Sequence, residues 1–208
     1  MDAIIFDVDG TLWDPVKAIT DSWNYTIEHN SPYSYHIEYE DLKNMLGKPL
    51  PDFYERFFPD LPEEEKFRFG EQCTYEENEY IKEHPGIYFP GVLETLRDLA
   101  KKIPLYILSN CQSGYIEALI EVSDIADIIS GHSCHGDTLL PKSGTIRKLM
   151  ADHGLEDVVY VGDTRGDYEA CLAAEVPFIL ADYGFGDVPE AERKISAFTE
   201  LPAMLGLE

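Results

Sequence analysis

The chain has 208 residues, 44% of them apolar and 27% charged, with a formal net charge of −24. That length accommodates one hydrophobic core plus an insertion, and so acidic a surface repels nucleic acid and anionic membranes, which removes both as expected partners. Without an apolar run of about 18 residues or more, no membrane span is expected.

The N-terminus enters a strand-like run almost at once, with no basic region ahead of it, so a signal peptide is not expected. Cys73, Cys111, Cys134 and Cys171 are widely spaced and form no C-x-x-C pair. They read as reduced thiols in a cytoplasmic protein. The cluster His132-Ser133-Cys134-His135 has no partner cluster elsewhere, which argues against a structural zinc site.

In chain order, the first element is the apolar run AIIFDVD (Ala3 to Asp9), which reads as a buried strand. From Pro15 to Pro90 no strand pattern stands out. Amphipathic stretches rich in Tyr, Phe and Glu, punctuated by proline, predict a helical insertion over 15–90. The rest alternates. Strand-like PLYILSN (Pro104 to Asn110), DIIS (Asp127 to Ser130), VVYVGD (Val158 to Asp163) and PFILADYG (Pro177 to Gly184) are interleaved with helical patterns over 91–102, 113–123, 143–154 and 165–175. Such alternation predicts an α/β fold: a doubly wound, Rossmann-like parallel sheet formed by 1–14 and 91–208, with an inserted α-helical cap domain over 15–90. Residues beyond about Asp182 read as the last loop and edge elements, with no chemistry assigned.

In doubly wound sheets ligands bind beyond the carboxyl ends of the strands. There the sequence places Asp7 and Asp9 at the end of the first strand, on one side of it, because residues two apart in a strand point the same way. Ser109 and Asn110 end the second strand, Lys142 opens a helix, and Asp163 ends the fourth strand with Asp167 in the turn behind it. Several carboxylates with one lysine match the hard-oxygen donor set of a magnesium site. Phosphoryl transfer relies on such charge neutralisation, with a hydroxyl and backbone N–H groups taking the phosphoryl oxygens. Asp7, emerging first, suits a nucleophile that forms an aspartyl-phosphate, and Asp9 suits the general acid/base. A calcium loop does not fit, because a strand precedes Asp7 and the glutamate position of such a loop falls on Ala18.

DVDGT at Asp7 to Thr11, LSN ending at Asn110, Lys142, and GDTRGD from Gly162 resemble, in order, the four motifs of the haloacid dehalogenase superfamily of phosphohydrolases. The resemblance covers nearly the whole chain, including a helical cap after the first strand as in its phosphoglycolate phosphatase and β-phosphoglucomutase-like members. It implies a Mg2+-dependent phosphatase for a small soluble phosphomonoester, acting as a monomer. Asp7 would be the nucleophile and Asp9 the general acid/base. Ser109 with the Asn110 backbone would hold the phosphoryl group, and Lys142 would orient Asp7. Asp163 would ligate magnesium together with Asp7 and the Asp9 carbonyl, Asp167 would support the metal, and Thr11 would fix the turn. The dehalogenases of the superfamily lack an acid two residues after the nucleophile, so Asp9 argues for a phosphate ester, whose leaving alkoxide needs a proton. A phosphomutase with the same catalytic set is the alternative, and a slowly turning-over phosphoacceptor module a further one.

Lys142 departs from the usual third motif. A proline precedes it and Ser-Gly follows, which leaves Lys148 as a rival. In the insertion, Lys48 in the loop MLGKPL (Met45 to Leu50) is a candidate ligand for a substrate anion, with a solvated surface lysine as the alternative reading. Asp167 and the pair Ser109-Asn110 can also be read as helix caps, and Cys111 as a small filler residue.

Overall fold

The computed structural model describes all 208 residues. The elements run β1 (Ala3–Phe6), β2 (Trp13–Asp14), α1 (Val16–His29), α2 (Tyr39–Lys43), α3 (Leu50–Phe57), α4 (Glu63–Glu83), β3 (Ile87–Tyr88), α5 (Val92–Ala100), β4 (Leu105–Ser109), α6 (Tyr115–Ser123), β5 (Ile129–Cys134), α7 (His135–Thr138), α8 (Lys142–His153), β6 (Val158–Gly162), α9 (Arg165–Ala174), β7 (Phe178–Ala181) and β8 (Lys194–Ile195), followed by a 3-10 turn (Phe198–Glu200) and α10 (Leu201–Leu205).

Six strands form one parallel sheet in the order β5-β4-β1-β6-β7-β8. This is the doubly wound α/β architecture. β1 lies inside the sheet, between β4 and β6, and every residue of it is buried. Its alternation supplies two cores. Ile4 and Phe6 pack on one face with Leu96 of α5 and Ile116 and Leu119 of α6; Ala3 and Ile5 pack on the other with Ile146 and Leu149 of α8 and Ala170 of α9. Each large apolar side chain buried this way contributes about 1.5–3 kcal/mol. Both faces of the sheet are thereby covered by helices, and its carboxyl edge is left to carry the polar residues.

Residues 16–83 carry four helices joined by loops, with α1 packed along α4 and α3 against α4. Trp23 of α1 is the hub of that layer, its ring centroid 6.0 Å from Phe53, 5.9 Å from Phe57 and 6.1 Å from Phe58. α4 also contacts α6, so the helical layer rests on the carboxyl edge of the sheet.

Two strand expectations are corrected. The region 15–90 is not free of strand: Ile87–Tyr88 pairs antiparallel with Trp13–Asp14 where the chain leaves the sheet and returns to it. A two-residue strand carries no periodicity to read. The strand expected over 127–130 lies instead at Ile129–Cys134, running through Gly131, His132 and Ser133. It is the sheet's edge strand, where polar residues facing solvent are tolerated.

Candidate active site

The carboxyl ends of β1, β4 and β6 and the start of α8 bring the polar residues together. β1 stops at Phe6, and the turn that follows is tight. Leu12 N–H donates to the Val8 carbonyl at 2.8 Å, and Gly10 takes φ +83°, a left-handed conformation that favours glycine. A side chain at Gly10 would meet Asp163 Oδ2 at 2.1 Å, and one at Gly184 would meet the Asp163 Cβ at 2.3 Å. These two glycines let Asp163 approach the turn.

Asp7, Asp163 and Asp167 are buried, and each offers an oxygen within 4.8 Å of the others. Lys142, also buried, donates from Nζ to Asp7 Oδ1 at 2.9 Å and makes a short contact with Asp167 Oδ1. The proline before Lys142 accounts for this placement. Pro141 is extended and its carbonyl accepts from Gly144 and Thr145 N–H, so α8 starts with Lys142 in its first turn. Lys148 lies on the outer face of α8, paired with Asp152 at 2.8 Å in solvent. Asp167 lies in the first turn of α9, where Oδ2 accepts from Thr164 N–H at 2.9 Å and Thr164 Oγ1 at 2.6 Å in a capping box, and Oδ1 faces Lys142.

Electrostatically the cluster is short of positive charge. Burial pushes the Asp7 carboxyl up to about 7, with Asp167 adding to the rise and Lys142 opposing it. Burial, then the Asp167 and Asp7 charges, hold Asp163 well above the usual carboxylate range. Burial works against the Lys142 ammonium, but Asp167 and Asp7 together outweigh it and raise its pKa. Asp163 itself meets no cation. Oδ2 accepts from Phe185 N–H at 2.7 Å and Oδ1 from Thr11 Oγ1 at 3.4 Å. Three convergent hard-oxygen donors with one ammonium fit a divalent cation, whose charge would offset the remaining repulsion.

Asp9 does not continue the strand's alternation, because β1 has already ended. Its carboxylate lies outside the three-carboxylate group and is held by Trp13 Nε1 at 2.9 Å and Tyr115 OH at 2.7 Å, both donating to Oδ1. Burial raises it to about 6 against those two hydrogen bonds. Asp9 and Asp7 line one cavity of about 30 Å³ with Ser109, Asn110 and, from the helical layer, Trp23, Phe53 and Glu77. That volume holds a water molecule or two and no larger ligand.

Thr11 is fully buried, with its carbonyl accepting from Tyr183 OH at 2.8 Å. Tyr183 and Phe185 thus give the segment after β7 a supporting part at the site, although the sequence suggested none. The Asn110 side chain donates to the Gly47 carbonyl at 3.0 Å and ties the sheet edge to the loop between α2 and α3. Lys48 is exposed at the cavity rim, its Nζ 3.6 Å from Met45 Sδ.

Sequence reasoning missed Tyr115, Gln112 and Glu77. Glu77 sits in the acidic run TYEENEY, one of several neighbouring acids. The signal that identifies it is spacing: the buried positions of α4 include 66, 69, 70, 73, 74, 77 and 81, so Glu77 occupies the stripe that packs inward.

A family model described as haloacid dehalogenase-like hydrolase matches residues 4–181. A phosphoglycolate phosphatase of Agrobacterium fabrum is 30% identical over 202 residues, which is 90% of this chain and 83% of that protein. A phosphoglycolate phosphatase of Rhodospirillum rubrum is 28% identical, covering 98% of this chain and 89% of the relative. Among solved structures, a haloacid dehalogenase-like family hydrolase of Streptococcus pneumoniae superposes with a TM-score of 0.80 at 21% identity, over 99% of this chain and 98% of that one. At that identity the likeness concerns the fold.

Proposed function

The chain belongs to the haloacid dehalogenase-like hydrolases, and from that premise we propose that it is a magnesium-dependent phosphatase that hydrolyses a small phosphomonoester through an aspartyl-phosphate on Asp7. The observation that carries the reading is the division of the acids. Asp7, Asp163 and Asp167 converge, with Lys142 paired to Asp7 and Asp167, while Asp9 stands apart from that group, held by Trp13 and Tyr115. The relatives named phosphoglycolate phosphatase support a phosphomonoester as the substrate class.

In this reading an Asp7 carboxylate oxygen attacks phosphorus, and the ester P–O bond breaks. The departing alkoxide takes the proton held on Asp9, which Trp13 and Tyr115 keep in place. Asp9, now ionised, removes a proton from water as the water oxygen attacks phosphorus. The P–O bond to Asp7 then breaks, inorganic phosphate leaves, and both aspartates return to their starting states. Lys142 orients Asp7 and neutralises charge, and Ser109 with the Asn110 backbone receives phosphoryl oxygens. Asp7, Asp163 and the Asp9 carbonyl would hold magnesium with support from Asp167; when bound, the ion supplies neutralising charge to the phosphoryl oxygens.

Residues 15–90 act as the cap. The small cavity requires this layer to separate from the sheet edge before substrate enters, breaking contacts such as Asn110 to Gly47 and Asn78 Nδ2 to the Ser113 carbonyl at 2.8 Å. The test is phosphate release from p-nitrophenyl phosphate with magnesium, beside a chelator control and Asp7→Asn. Release that disappears in both controls supports the reading. Release that survives Asp7→Asn contradicts it.

A further inference from the structure

Glu77 has no role in the chemistry above, yet it lines the same cavity as Asp7 and Asp9. It comes from α4 in the helical layer and is 3% exposed. Its carboxylate accepts from Trp23 Nε1 at 2.5 Å and Gln112 Nε2 at 2.9 Å, both neutral donors. No cation pairs with it. The one basic residue lining the cavity is Lys48, which is exposed at the rim. A buried carboxylate without a countercharge is costly, and such groups ordinarily have a cation partner. On the side of Glu77 the lining includes the buried side chains of Ile19, Trp23, Phe53 and Tyr115. An enclosed acid without a countercharge is a setting that attracts a cationic nitrogen.

We propose that Glu77 selects the leaving group, and that the substrate is a phosphomonoester of a small alcohol carrying a cationic nitrogen, either an amine or a quaternary ammonium. This rests on the phosphatase reading. With the phosphoryl group at Asp7 and the helical layer closed over it, the alcohol portion lies against that layer, which carries Glu77. There Glu77 attracts a cation and repels a carboxylate. A carboxylate-bearing ester such as 2-phosphoglycolate would place its negative charge beside a buried acid with no buried cation to receive it. The chain therefore departs in specificity from the relatives whose names it resembles.

The test compares kcat/KM for phosphoethanolamine and phosphocholine, glycerol 1-phosphate and 2-phosphoglycolate in the wild type and Glu77→Gln, with p-nitrophenyl phosphate assayed in every preparation. The wild type should rank cationic above neutral above anionic. Glu77→Gln should lower the ratio of cationic to anionic kcat/KM on the order of thirtyfold, chiefly through KM. A wild type that prefers 2-phosphoglycolate, or a variant that lowers every substrate by one common factor, overturns the proposal. Turnover of p-nitrophenyl phosphate with none of either cationic ester overturns it while leaving the phosphatase reading intact. No turnover of any ester, p-nitrophenyl phosphate included, removes both. The wild-type ranking decides the matter even where Glu77→Gln fails to fold.

Discussion

Replacing Glu77 by glutamine exposes what the native state loses by enclosing an unpaired acid. Burial raises the Glu77 carboxyl from its ordinary 4.5 to about 7, against the opposing hydrogen bonds from Gln112 and Trp23, with the Asp9 charge adding to the rise. The native state therefore binds this proton more tightly than the unfolded chain does. Below the unfolded value both states are protonated and nothing is lost; as pH rises from there through the folded value, ionisation favours the unfolded chain and stability falls. A rise of this size corresponds to roughly 3 kcal/mol when fully expressed, of which about 2–3 kcal/mol falls between pH 5 and pH 8. Glutamine cannot ionise. Urea unfolding of both proteins at pH 5 and pH 8, without metal, should show the wild type losing about 2–3 kcal/mol more than the variant across that interval. Any constant penalty from a poorer hydrogen bond to Trp23 or Gln112 cancels in this difference. Parallel losses in the two proteins, agreeing within about 0.5 kcal/mol, would refute the claim that Glu77 is enclosed without a countercharge.

Lys142→Met leaves Asp7 and Asp167 buried without their ammonium and should destabilise the metal-free protein by about 3–5 kcal/mol in urea unfolding, with phosphatase activity falling at least about a hundredfold. Lys148→Met, which breaks only the exposed pair with Asp152, should change stability by no more than about 0.5 kcal/mol; the reverse pattern would make Lys148 the functional lysine. Gly10→Ala forces a left-handed residue at a cost of about 1–2 kcal/mol and drives a methyl group into Asp163. Its melting temperature and its magnesium affinity by calorimetry should both drop, and unchanged values would mean that Asp163 does not depend on this close approach.

The central strands were legible because they are buried on both faces and read as unbroken apolar runs; β1, β4 and β6 have no exposed residue. β5 was displaced along the chain because an edge strand needs no such run, so ISGHSC carries no strand signal despite pairing with β4. Asp7, Lys142, Asp163 and Asp167 were legible because each follows a strand or opens a helix whose position the alternation fixes. The direction of the Asp9 side chain was not. It depends on a turn beginning at Asp7 and on Trp13 and Tyr115, which are distant in pattern from the acid they hold. Glu77 was hidden for a related reason: the chain shows several neighbouring acids in α4, and only the packing of α1 on α4 decides which of them turns inward.

The most direct test of the account is to trap the covalent intermediate. The protein, turning over p-nitrophenyl phosphate with magnesium, is quenched in acid, reduced with borohydride and digested, and the peptides carrying residues 7, 9, 163 and 167 are sequenced by mass spectrometry. Reduction of an acyl phosphate converts aspartate to homoserine, so the account predicts homoserine at position 7 and aspartate at positions 9, 163 and 167. Homoserine at any other acid, or none while phosphate is being released, would contradict it.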